Sequence, residues 1–310
     1  MKKAIFLVSV CFLFIHFNAK SQGCSDAGFC TMGALKPQSE GDTAFRHNAK
    51  LSFSFGKGEQ GTSIIQIIPE IEMSFFENNF VQFKVPFISV TGNLGSNSNA
   101  GDISLSITQA VKKNETTKLS FTLGTKIATG NSSDHIGQQK LPLPMPYQTS
   151  LGTNDIILGA SLQHKEWNFA IGFQGILSNN NKNNFLSDAW TSDAVSTYAI
   201  KYFESRLLER GNDALLRIER SFTIKRVNLS AGLLGIYHLQ EASIVDDLGS
   251  RIAVKNSEGL TLNVNGNANY NFSRRTGINF TCGFPIIVRK VRPDGLTRKI
   301  VLTAGFNFLF

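Results

Sequence analysis

The chain has 310 residues with 27 Gly, 25 Phe and 8 Pro, and its 42% hydrophobic residues are spread without a long apolar block. That spread excludes a polytopic helical membrane protein, which needs runs of about 20 apolar residues, while 17% charged residues falls below the roughly 25% usual for soluble domains. The formal charge of +8 comes from scattered basic residues rather than a stripe, so nucleic acid is not an expected partner.

The chain opens like an export signal: Met1, Lys2 and Lys3, then an apolar run from Ala4 to Phe17, then small polar residues to Gly23. The run is short for a spanning helix and fits a secretory signal peptide cleaved between Ala19 and Gly23. Residues 1–22 are therefore assigned to the signal, 23–47 to an N-terminal segment and 48–310 to the main body. Ser21, Gln22 and Gly23 make a poor lipobox before Cys24, so lipidation is the weaker reading. Cys24 and Cys30 are spaced for a small disulfide loop, which an oxidising compartment preserves. A zinc site would need ligands that His47 alone does not complete, and no metal or cofactor is expected.

Past Phe45 the residues alternate with a period of two, the mark of strands with one apolar face. In chain order the predicted strands are 49–55, 65–75, 81–87, 103–111, 119–127, 156–162, 167–177, 216–222, 227–237, 260–271, 278–288 and 300–310. The cleanest sets Leu260, Leu262, Val264, Gly266, Ala268 and Tyr270 against Thr261, Asn263, Asn265, Asn267, Asn269 and Asn271. Its length suits an oblique bilayer crossing. The least regular is 216–222, where Arg220 interrupts the apolar set.

Short connections near 77–79, 113–117, 164–166, 223–226 and 273–275 alternate with longer ones at 56–63, 91–101, 130–153, 178–213, 240–258 and 289–297. This is the pattern of periplasmic turns and external loops in single-chain bacterial barrels. Phe75, Phe76, Phe80, Trp167, Phe222, Tyr270 and Phe272 cluster beside the short turns, as in an interfacial girdle. The expected fold is all-β: a transmembrane antiparallel up-and-down β-barrel of about 12 strands, in the outer membrane of a Gram-negative bacterium. Phe310, ending an alternating strand, is expected to be read by the outer-membrane assembly machinery, and the apolar face by outer-membrane lipid.

With the apolar set facing lipid, the opposite set faces the lumen. Gln66, Glu70, Glu72, Gln82, Lys84, Lys126, Arg217, Glu219, Asn263, Asn265 and Asn267 are the lining candidates, either around a water-filled passage or as a self-paired network. The segment before the first strand is expected to fold back as a plug or to remain a periplasmic tail. In the long connections, Asn179 to Asn184 reads as flexible and Val195 to Leu208 as an amphipathic helix or a strand extension. Pro142, Pro144 and Pro146 stiffen 130–153 as a lid is stiffened.

Ala100-Gly101-Asp102-Ile103, Leu119 to Gly130 (LSFTLGTKIATG) and Leu151 to Ala160 (LGTNDIILGA) resemble outer-membrane proteins grouped under the meta-pathway of phenol degradation, distant relatives of the long-chain fatty-acid channels. Cys24 to Cys30 (CSDAGFC) is similar to the mature start of outer-membrane barrels from Bacteroidetes-type bacteria. The resemblance implies passive uptake of small hydrophobic or aromatic solutes and assigns no binding residues. Twelve predicted strands depart from the fourteen of the fatty-acid channels, so a shared lateral exit does not carry over.

Catalysis has less support. A barrel phospholipase needs His and Ser two places apart, and His47, His135, His164 and His238 precede Ala49, Gly137, Glu166 and Gln240 instead. A rim protease would draw on Asp134, His135, Asp246 and Asp247. No catalytic residues are assigned. The expectation is a small-solute channel, with a filled structural or adhesive barrel as the alternative and a rim hydrolase behind both.

Overall fold

The computed structural model describes residues 31–36, 47–76, 78–114, 116–191, 193–296 and 298–310. Twelve antiparallel strands make the wall: β1 (His47–Gly58), β2 (Ser63–Met73), β3 (Asn79–Lys84, continued by Phe87–Gly92), β4 (Gly95–Ala100, continued by Ile103–Lys113), β5 (Thr117–Ile127), β6 (Thr153–His164), β7 (Trp167–Asn179), β8 (Asp213–Ile224), β9 (Val227–His238), β10 (Gly259–Asn271), β11 (Thr276–Ile287) and β12 (Arg298–Leu309). Each pairs with its neighbours in sequence. β1 pairs with both β2 and β12, closing the sheet on itself. Closure removes the free edges that hydrocarbon would leave without hydrogen bonds.

The period of two fixes which side chains meet lipid. Leu51, Phe53 and Phe55 on β1, and Ile65, Ile67, Ile71 and Met73 on β2, point outward and are exposed. The residues between them, Ser52, Ser54, Gln66 and Glu70, are buried. Such a protein is apolar outside because its outer solvent is hydrocarbon. Arg220, the interruption in β8, sits on this outer face close to the short turns, 2.8 Å from Glu166 and over the rings of Trp167 and Phe222. It belongs to the interfacial girdle, where a cation can stay hydrated while stacked on aromatics.

Two connections expected to be long loops are not. Residues 91–101 continue β3 and β4 outward as a hairpin, with Gly92 opposite Gly95, and β1 joins β2 through a single 3₁₀ turn at Glu59–Gly61. The hairpin was hidden because a strand beyond the membrane has no lipid face to pattern it, and SVTGNLGSNSN reads as loop composition. Val85 and Pro86 mark where β3 breaks, and Gly101 and Asp102 where β4 does: β2 pairs with Asn79–Lys84 on one side of the β3 break and Phe87–Gly92 on the other.

The remaining long connections are ordered and packed. The stretch expected to be flexible is a ladder in which Asn179, Asn181 and Asn183 each accept, through the side-chain oxygen, the N–H two residues on (2.9 Å in each case). Their amide groups donate to Leu208 O, Leu151 O and Leu143 O. Asparagine does this because its side chain imitates a backbone turn. Of the expected helix within Val195–Leu208, a short helix at Asp193–Ala199 is formed. The proline-rich lid forms: Leu141–Pro142 pairs with His135–Ile136, and Met145–Tyr147 makes a buried 3₁₀ turn.

Candidate functional site: the occluded lumen

The inward-facing residues fall into three layers. Toward the short-turn end, Glu70 accepts from Gln82 Nε2 at 2.6 Å and lies 3.5 Å from Lys84 Nζ. This brings together three of the expected lining residues, with Glu72 as a fourth beside them, 3.3 Å from Gln82 Nε2. Arg217 and Glu219 pair along one face of β8 at 3.4 Å. The asparagine ladder of β10 does not join either group. Asn263 donates to Leu234 O and Asn267 to Ser230 Oγ, while Asn265 lies over Gly283.

Through the middle runs the described part of the N-terminal segment, Thr31–Lys36. Gly33 N–H donates to Gln82 Oε1 at 2.8 Å and Ala34 N–H to Thr122 Oγ1 at 2.7 Å. Lys84 donates to the Thr31 carbonyl, and Lys36 pairs with Glu72. On the other side, Met32 and Leu35 pack against an apolar wall of Ile157, Ala170, Leu215, Leu234 and Ile236. The wall is dimpled to receive them. A Cβ on Gly124 would stand 2.6 Å from Met32 Sδ, and one on Gly159 would stand 2.8 Å from Leu35 Cγ. Residues 23–30 and 37–46, including Cys24 and Cys30, lie outside the described residues, and His47 already belongs to β1.

The outer layer is a buried network. Lys126 Nζ bridges Asp102 (3.2 Å) and Asp155 (3.1 Å), and Gln174 donates to Asp155 at 2.5 Å. Asp213 holds Arg210 and, at 2.5 Å, His238 Nδ1. Arg289 meets Asp294 at 2.7 Å, and Arg292 meets Glu59 at 2.7 Å. Burial would raise the Asp294 carboxyl, but Arg289, with His238 and Arg210 beyond, outweighs it and holds the group down at about 2. Burial pulls the Arg210 guanidinium below its ordinary value, against the pull of Asp155 and Asp294.

Above this network the loops form a lid. Tyr147, Phe185, Trp190 and Tyr202 pack with Ile64, Ile88, Val90 and Leu94. Tyr147 Oη accepts from Leu94 N–H and lies 3.2 Å from Tyr202 Oη. Burial raises both phenols, so both stay neutral. Inward residues at the outer ends of β5, β6, β7, β9, β10 and β12, namely Lys126, Asp155, Gln174, His238, Thr261 and Arg298, are buried, so the mouth is covered there. The other end is less closed, with 24% and 15% of the Lys36 and Glu72 side chains exposed.

Of the residues considered for rim hydrolysis, Asp134 is engaged by Asn97 and Asn131 as a structural acceptor. Among the described residues no group of His, Cys, Asp and Glu is arranged to hold a metal ion. Sequence reasoning missed Asp102, Asp155, Asp213 and His238, yet the signal was available. Asp155 keeps phase with Ile157, Asp213 with Arg217, and His238 with Ile236, so extending each alternation outward places them in the lumen. Arg210, Arg289, Arg292 and Asp294 lie on loops, where periodicity is silent.

A closed twelve-stranded wall, apolar outside and polar within, is the fold of the transmembrane β-barrels of bacterial outer membranes. No protein-family profile matches the sequence, and no curated protein matches it. Among solved structures, the COG4313 outer membrane channel from Pseudomonas putida F1 is similar over 89% of this chain and 99% of that one, with a TM-score of 0.60 at 16% identity. The NanC porin aligns more loosely (TM-score 0.45, 10% identity, 84% of this chain and 98% of that one). The KdgM porin does likewise (TM-score 0.41, 8% identity, 85% and 99%).

Proposed function

We propose that the chain is an outer-membrane channel for passive uptake of small hydrophobic or aromatic solutes, closed at rest by its own N-terminal segment and lid. The observation that carries this reading is the dimpled apolar wall inside an otherwise polar lumen, occupied by Met32 and Leu35. A pocket shaped for the Met32 and Leu35 side chains, flanked by Gln82, Lys84 and Thr122, suits a compact apolar solute with one polar group. The fold shared with an outer-membrane channel is consistent with it.

The segment is held weakly enough to move. Burying Met32 and Leu35 contributes about 1.5–3 kcal/mol each, and the two backbone hydrogen bonds about 1 kcal/mol each. Ordering six residues costs about 6–12 kcal/mol, which the contacts to Lys84 and Glu72 help to offset. The favourable terms therefore exceed the ordering cost by a few kcal/mol at most, as a displaceable plug requires. Phe306, Phe308 and Phe310, exposed on the outer face of β12, are the part of the chain offered to the assembly machinery.

Single-channel conductance of the refolded mature chain, with and without residues 23–36, tests the reading. Low conductance that rises on deletion supports it, and apolar solutes should then block the opened form. The packed lid favours a second reading, a filled structural barrel whose loops bind partners. Silence of the deleted form, after disruption of the lid as well, would select that one.

A further inference from the structure

The short-turn rim carries a charge that the other end lacks. Its five connections and their flanks hold Lys112, Lys113, Lys118, Lys165, Lys225, Arg226, Arg274 and Arg275 against Glu77, Glu115 and Glu166. Counted with the same one-residue flanks, the long connections hold twelve basic residues against thirteen acidic ones. All the basic rim residues except the half-buried Lys118 are exposed, and the Glu166 carboxylate is engaged by Arg220.

Backbone hydrogen bonds tie each turn to the turn or strand end beside it. Lys165 N–H donates to Thr116 O (2.8 Å), Ser221 N–H to Glu166 O (2.7 Å), Asn271 N–H to Arg226 O (3.5 Å) and Leu309 N–H to Arg275 O (2.7 Å). The rim charge is densest where the β8–β9 and β10–β11 turns lie side by side and place Lys225, Arg226, Arg274 and Arg275 together, with no acid in either turn. Beside them the Tyr270 and Phe272 rings meet edge to face at 5.2 Å.

The backbone adds an independent sign. Lys165 and Lys225 have φ of +52° and +56° at hairpin positions that favour Asn, Asp or Gly, and Asn78 fills such a position elsewhere on the rim at +64°. Lysine there carries a strained conformation, and what it adds in return is an exposed cation at the turn tip.

We propose that this arc is a docking site for the headgroups of anionic phospholipids in the periplasmic leaflet, centred on Lys225, Arg226, Arg274 and Arg275. The aromatic girdle sits at the boundary between acyl chains and headgroups, so cations one step beyond it lie level with the phosphates. A net negative headgroup brings no cation of its own and gains most from such a cluster. A zwitterionic headgroup brings its own ammonium and gains least.

The test is native mass spectrometry of the refolded mature chain released from nanodiscs of phosphatidylethanolamine and phosphatidylglycerol. Wild type should retain phosphatidylglycerol above its bulk fraction, and the enrichment should weaken as salt rises. The combined variant Lys225→Gln, Arg226→Gln, Arg274→Gln, Arg275→Gln should lower it at least about fivefold. Heat-modifiable gel mobility reports whether that variant folds; if it does not, Lys165→Gln and the Arg274→Gln, Arg275→Gln pair are read the same way. The long-loop control Lys140→Gln, Lys182→Gln, Lys255→Gln should keep the enrichment. No enrichment in wild type, or undiminished enrichment in the rim variants, overturns the proposal. So does selective retention of lipopolysaccharide when both lipids are offered.

Discussion

Gly33 is where one atom decides the state of the lumen. Its φ of +47° lies in the left-handed region, and a Cβ there would stand 2.3 Å from Thr108 Oγ1 and 2.5 Å from Thr122 Oγ1. Those two hydroxyls are themselves 2.7 Å apart on adjacent strands, so neither can retreat freely. Gly33→Val combines that clash with a left-handed backbone costing about 1–2 kcal/mol. With the segment near balance, the expected outcome is its expulsion, read as lumen accessibility matching that of the chain lacking 23–36, with an unchanged barrel fold. Asp294 sets a pH response at the same scale. Its pKa in the folded chain, about 2, is below the ordinary 3.8, so its contribution is present above the unfolded value and disappears as pH falls through the folded one. Nearly two units correspond to roughly 2 kcal/mol. The emission of Trp190, buried in the lid, should shift to the red between about pH 4 and pH 2 in a Trp167→Phe background. Asp294→Asn, which leaves Arg289 without this carboxylate, should show the shift already at neutral pH and no transition in that window.

At the scale of the element, the strands were legible because lipid imposes an outer face that repeats every second residue. Phe53, exposed in the middle of β1, should therefore respond to depth. Phe53→Arg is expected to cost about 2–4 kcal/mol, against about 0–1 for Phe76→Arg in the girdle, measured by urea unfolding in vesicles. Equal costs would contradict the placement. Legibility stopped where the two-solvent contrast stops. The outer halves of β3 and β4 have no lipid face, and the asparagine run 179–184 looked like linker because its composition matches one. In that run Asn183 is buried and satisfies three backbone groups, at Phe185, Leu143 and Ser132, besides Ser205 Oγ. Asn183→Ala strips these partners and should destabilise the lid by about 2–3 kcal/mol, seen as faster hydrogen exchange in 130–152 and 180–212. The apolar lumen wall carried a signal that went unread. Ile156-Ile157, Leu215-Leu216 and Leu233-Leu234 are apolar on consecutive positions, hence on both faces, in β6, β8 and β9, with Ala170 of β7 completing the wall between them. A strand apolar on both faces must bury the inner one against something, and here that is Met32 and Leu35.

For the whole molecule, the decisive feature is that the two closures are in series. The N-terminal segment spans the middle of the lumen through β3 to β9 contacts. The lid covers the outer mouth through residues of loops 130–152, 180–212 and 288–297. Among the described residues the two closures belong to separate clusters: Met32 and Leu35 pack with strand residues, and the lid aromatics pack with one another, with Ile64 and with the β3–β4 hairpin. A series arrangement makes conductance follow the tighter barrier. Deleting 23–36 alone should give small, infrequent openings limited by the lid, and Asn183→Ala alone should give none, because the segment still fills the middle of the lumen. The two changes together should give an open state whose conductance exceeds the sum of the singles. Additive conductances would mean two parallel paths, and the lid would then not lie on the route through the barrel. A solute that competes with Met32 and Leu35 should mimic the deletion in the Asn183→Ala chain and have little effect on wild type.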